Sequence, residues 1–135
     1  MAKIDLKVLA IAGVAAAAIA TTAAAHHSYA AFDRTKTVTI SGVISELEWT
    51  NPHIWVFVNV QGPDKKVVRH PVEGDAPGNM TRRGWTRSAA KVGDKVTLVI
   101  NPMQNGEPGG HYVTAILPGN KKIERAAPEV AAAPK

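Results

Sequence analysis

From residue 37 onward the chain alternates short runs of β-branched residues with breaks rich in Gly, Pro and Asn, a pattern that predicts a mainly β domain. Val38 to Trp49 reads as one long strand. Its apolar positions fall first at Val38, Ile40 and Ile44 and then at Val43, Leu47 and Trp49. One extra residue or a sharp bend between Gly42 and Ser45 would produce that change of parity. After Asn51-Pro52, Ile54 to Val60 is apolar at almost every position and predicts a central second strand. Gly62-Pro63-Asp64 is a turn signal. Lys66 to Glu73 predicts a third strand, with Pro71 inside it marking either a sheet edge or a strand end.

Gly74 to Gly93 loses the two-residue period. Pro77, Gly78 and Gly84 punctuate it, and it carries a short helix over Asn79 to Arg83, with a further turn at Thr86 to Ala90. Lys95 to Ile100 and Tyr112 to Leu117 are the fourth and fifth strands, separated by the Gly/Pro/Asn loop Asn101 to Gly110. Three strands, a short helical connection and two more strands predict an all-β fold with one short helix, a small five-stranded OB-like Greek-key barrel. The competing arrangement is an open sandwich of five or six strands. Residues 121–135, ending Ala-Ala-Pro-Glu-Val-Ala-Ala-Ala-Pro-Lys, have no packing pattern and read as a disordered tail.

The N-terminus changes the picture of where this domain works. Lys3 and Lys7 precede an uncharged run from Val8 to Ala20, and Ala23 and Ala25 satisfy the small-x-small rule, so residues 1–25 read as a signal peptide cleaved after Ala25. Val8 to Ala25, 18 residues rich in Ala rather than Leu, is at the lower edge of a membrane span, and the well-formed processing site favours cleavage over a retained anchor. No cysteine follows it for lipid attachment, and no twin-arginine pair precedes it. The expected protein is periplasmic or secreted, with no stable membrane insertion after cleavage and the barrel domain over residues 26–120. Cleavage removes two lysines and one aspartate and lowers the formal charge of the 135-residue chain from +5 to +4. That balance favours solubility, and an exported protein of mild charge is not expected to bind nucleic acid. With no cysteine in the chain, disulfides, thiolate metal sites and cysteine nucleophiles are excluded.

The mature start His26-His27-Ser28, followed by Phe32-Asp33, and the block Trp49-Thr50-Asn51-Pro52-His53 resemble a family of small exported bacterial proteins of unassigned function, domain of unknown function 6152. Glu73, Pro77, Arg83-Gly84-Trp85 and Gly93-Asp94 are similar to its later blocks. Two positions depart: His70 stands where the family carries an aromatic before the third-strand glutamate, and the region around His111 fits loosely. The resemblance implies export and a small β domain. It implies no activity.

Five histidines hold the candidate chemistry. If cleavage follows Ala25, His26 offers its α-amine and imidazole to one metal, and a second imidazole opposite would complete a tetragonal nitrogen set that suits Cu(II). His53, stiffened by Pro52 at the entrance to a central strand, is the best second imidazole, with His27 in support and Glu73 or Asp33 as a supporting carboxylate. The plainer reading has His27 and His53 hydrogen-bonding backbone. His70 and His111 read as a surface residue and a loop residue. A second set, Arg82, Arg83, Arg87 and Lys91 with Trp85, and with Trp55 on a strand face, would suit an anionic glycan, a lipid headgroup or an acidic partner. Its plainer reading has Trp49 and Trp85 filling the barrel ends and the arginines solvated. No nucleophile elbow surrounds Ser28 or Ser41, and the carboxylates Glu46 and Glu48 share a solvated strand face.

The sequence therefore predicts a binding protein rather than an enzyme. Its first candidate ligand is copper held by His26, His27 and His53. The alternative is an accessory module of the bacterial envelope without metal, binding a glycan, a lipid, an envelope protein or a small ligand through Trp55, Arg82, Arg83 and Trp85.

Overall fold

The computed structural model describes residues 29–125. Contacts divide the chain into two units at Phe32/Asp33. Within the first, the Phe32 N–H donates to the Tyr29 carbonyl at 3.4 Å. The His26 and His27 positions, the signal segment and the segment from residue 126 lie outside the described residues.

The long first strand organises the fold. β1 (Val38–Glu48) pairs antiparallel with β4 (Lys95–Pro102) through its first half and with β2 (Trp55–Gln61) through its second. Val43 stands in both ladders, opposite Lys95 on one side and Asn59 on the other. The parity switch predicted from the sequence is a β-bulge: Ile44 faces Val58 and Glu46 faces Phe57, which leaves Ser45 as the extra residue. The Ser45 hydroxyl donates to the Phe57 carbonyl at 3.1 Å, tying the bulge to β2. Gly42 permits the change of partner, because a Cβ there would lie 2.2 Å from the Asn59 carbonyl oxygen.

β2 pairs with β3 (Val67–Glu73), and β4 pairs with β5 (Gly110–Leu117), each antiparallel. The barrel closes where β3 and β5 meet in parallel, Val72 opposite Gly110 and Glu73 opposite His111. This order, β1-β2-β3-β5-β4 and back to β1, is the expected OB-like Greek-key barrel. The closure needs a glycine: at Gly109, with φ of 110°, a Cβ would sit 2.3 Å from the Pro71 carbonyl oxygen. Pro71 lies inside β3 opposite Phe57 and is an edge position, since the β5 ladder begins only at Val72.

One strand lies beyond the expected five. β6 (Lys121–Glu124) follows the single 3₁₀ turn Pro118–Asn120 and pairs antiparallel with β5, and the Arg125 N–H continues the ladder to the Val113 carbonyl at 2.8 Å. The sheet thus runs past the boundary drawn at residue 120. Ile123, 2% exposed, is the only apolar residue in β6, so alternation could not reveal the strand.

Ile40, Ile44, Val56, Val58, Leu98, Ile100 and Ala115 fill the barrel. The β3–β4 connection adds two large residues to this core. The short helix α1 (Pro77–Arg82) begins with Pro77, whose fixed φ suits a first helical position, and inserts Met80 at 0% exposure. Trp85 follows at 1% exposure, edge-on to Tyr112 with ring centroids 5.7 Å apart. Burying such side chains is worth about 1.5–3 kcal/mol each. Among the described residues, no helix is long and apolar enough to cross a membrane.

Candidate functional site

The barrel closure gathers the polar residues that the core cannot absorb. Beyond the regular β2–β3 ladder, the Gly74 N–H donates to the Ile54 carbonyl at 2.9 Å and the Ile54 N–H to the Asp75 carbonyl at 3.1 Å, so the two strands stay paired to their very ends. Trp55 stands opposite Glu73 in this ladder. His53, two residues before Trp55, falls on the same side of the strand and reaches Glu73 diagonally. Gly74 allows the close packing, since a Cβ there would meet Ile54 Cγ1 at 2.5 Å.

The first element of the site is therefore a histidine–carboxylate pair. His53 Nδ1 meets Oε1 of Glu73, whose side chain is 4% exposed, while the His53 side chain keeps 21% exposure. The Asn51–Pro52 peptide just before it is cis. A carboxylate on Nδ1 sets the tautomer and the plane of an imidazole, the support that metal-bound histidines commonly have.

The second element is an interlocked set around Asp75, which is 7% exposed. Arg83 Nη1 donates to Asp75 Oδ2 and also to the Tyr112 hydroxyl at 3.3 Å. Burial pulls the Arg83 guanidinium down, but the hydrogen bonds it donates to Asp75 and Tyr112 outweigh it and hold the group above its ordinary value. Burial raises the Tyr112 phenol, against the Arg83 N–H that lowers it.

His111 completes the set from β5, with Nε2 3.6 Å from Asp75 Oδ1 and Nδ1 accepting from Arg125. Nδ1 also lies 3.1 Å from the Tyr112 carbonyl oxygen. Arg125 can only donate, so in the neutral ring Nδ1 is the acceptor and the proton sits on Nε2, facing Asp75. Burial and then the Arg125 charge lower His111 to about 4, with His53 acting in the same direction; Asp75 and the Tyr112 carbonyl oppose them. The loop placement expected for His111 is corrected here: it is a buried β5 residue, 2% exposed, because the parallel closure carries it against Glu73. His70, by contrast, is a half-buried β3 residue with Nδ1 3.1 Å from the Val68 carbonyl.

The second candidate set is dispersed. Trp85 is packed in the core with its indole N–H buried and unpartnered, and Arg83 is engaged with Asp75 and Tyr112. Arg82 is exposed on α1 and donates to Asn79 Oδ1. Trp55 stands half-buried on β2, stacked at 26° and 6.4 Å on Phe57, and the Arg69 guanidinium covers the Phe57 ring at 4.2 Å. Arg69 in turn pairs with Glu46. Asp33, the other proposed supporting carboxylate, is taken by Thr35, whose hydroxyl donates at 2.6 Å, and by Lys36 at 3.0 Å; the Thr35 hydrogen bond is the main reason its carboxyl lies below the usual value.

Among the described residues, no group of three or more His, Asp or Glu side chains is placed to hold a metal ion. Of the proposed copper donors, His53 belongs to the barrel, and His26 and His27 lie outside the described residues.

The fold and the closure cluster define a small closed β-barrel domain of mixed strand direction. The chain belongs to a family of unknown function (DUF6152), whose sequence profile matches residues 14–112. That match spans β1 to the start of β5 and takes in His53, Glu73, Asp75, Arg83 and His111. Neither a curated protein nor a solved structure matches the chain.

Proposed function

We propose that this barrel is an exported binding protein, not an enzyme, and that it holds one copper ion between His53 and the processed N-terminus. The observation that carries the reading is the Glu73 carboxylate on Nδ1 of His53 at the entrance to β2. A buried carboxylate orients the imidazole before any ion arrives, so little ordering remains to be done on binding. His26 would add its α-amine and ring, with His27 in support, and the resulting nitrogen donor set favours Cu(II) over harder cations. The same protein would then pass copper to, or receive it from, a partner in the cell envelope.

The test is a Cu(II) titration of processed protein by competition with a chelator of known affinity. The expected result is one tight site per chain. His53→Ala should weaken it at least tenfold, and Glu73→Gln should weaken it by about 10- to 100-fold, the usual effect of removing a supporting carboxylate. Equal affinity in the wild type and in both variants, with thermal melts showing all three folded, would refute the reading.

A further inference from the structure

We propose that the opposite end of the barrel carries a second binding site, a groove for an acidic saccharide. The groove encloses about 530 Å³, within the ~300–1,000 Å³ common for small-ligand sites. It lies where β1 changes partner, and the turn into β6 forms one wall. Gly119 and Asn120, with φ of 77° and 58°, make that turn and bring Asn120 to the rim.

The lining chemistry selects the ligand. Three amide side chains, Asn59, Gln61 and Asn120, line the groove with the hydroxyls of Ser41 and Thr97, which share a hydrogen bond of 2.8 Å. Each amide offers donors and an acceptor side by side, a match for the neighbouring hydroxyls of a sugar ring. Val43 and Ile116, 38% and 39% exposed, supply an apolar strip for its C–H face. Among the described residues, Lys95 is the only ionisable side chain in the lining, and no carboxylate opposes it there. Among the described residues, no ion pair engages Lys95. A carboxylate-bearing sugar would satisfy this arrangement, with its charge on Lys95 and its hydroxyls on the amides.

An extended peptide fits less well. Thr97 and Ile116 on the groove floor sit in strands already paired on both sides, β4 between β1 and β5, and β5 between β4 and β6. Strand addition has no free edge at those two positions. None of the lining residues is aromatic, so the groove also lacks the platform that would bind bases or aromatic side chains by stacking.

The probe is tetragalacturonate, titrated into the full chain by calorimetry and by chemical-shift mapping, with its methyl ester and tetraglutamate as comparators. Saturable binding of tetragalacturonate is expected, with shifts at Asn59, Gln61, Lys95 and Asn120. Lys95→Gln and methyl esterification should each weaken it at least tenfold, and His53→Ala should leave it unchanged, which separates this site from the copper proposal. No binding, undiminished binding to Lys95→Gln, or equal affinity for tetraglutamate would overturn the assignment.

Discussion

Arg125 donates to Nδ1 of His111 across the seam between β6 and β5. Burial first, and the Arg125 charge second, disfavour the protonated ring. In the neutral ring the proton lies on Nε2 toward Asp75.

That relationship makes stability pH-dependent with a definite sign. His111 titrates at about 4 in the folded chain against an ordinary 6.5, so the unfolded chain binds the extra proton first as pH falls. Stability from His111 is fully present above pH 6.5 and is lost as pH drops from 6.5 toward 4, on the order of 3 kcal/mol over the whole window. Urea midpoints measured from pH 7.5 to 4 should fall in the wild type. In His111→Gln they should fall clearly less over that interval.

Arg83→Ala should destabilise the barrel by roughly 3 kcal/mol, because it leaves Asp75, 7% exposed, beside His111 with its main cation gone. Asp75→Asn in the same background should recover part of the loss. Chemical denaturation of the single and double variants gives the comparison, and additive losses would rule out the pairing as the cause.

The two tryptophans on either side of the barrel wall should behave differently. Trp85→Ala removes a side chain that is 1% exposed and in contact with Tyr112, at about 3–5 kcal/mol. Trp55→Ala, from a half-buried outer position, should cost under about 1.5 kcal/mol, through its partial burial and the stacking on Phe57. Thermal melts followed by circular dichroism distinguish them.

Gly109→Ala should prevent proper closure between β3 and β5. Its Cβ would meet the Pro71 carbonyl oxygen, and its φ of 110° is one that alanine rarely adopts. Amide exchange should show lost protection at Val72, Glu73 and His111 before the β1–β2 ladder is affected.

The strands were legible because hydrophobic alternation is local. The parity switch from Ile44 to Leu47 located the bulge within a few residues, and the helix was expected within two residues of its observed start. Two features were not legible. β6 has one buried apolar residue among lysines and glutamate, so no alternation marks it. The closure cluster depends on a parallel pairing of segments far apart in sequence, Val72–Glu73 with Gly110–His111, which no local pattern encodes. Without that pairing His111 looks like the end of a Gly/Pro loop, Asp75 like a turn residue and Arg125 like part of a tail. Glu73 was visible as a carboxylate partner of His53 because Pro52-His53 and the third-strand glutamate each stood at a strand boundary.

The proposed copper site joins His53 to the processed N-terminus. The most direct measurement is the electron paramagnetic resonance spectrum of exported, mass-verified protein starting at His26 and loaded with one equivalent of Cu(II). An axial, nitrogen-rich spectrum is expected in the wild type. It should lose one nitrogen coupling in His53→Ala and change again when one extra residue blocks the α-amine. A spectrum identical in all three proteins would contradict the claim.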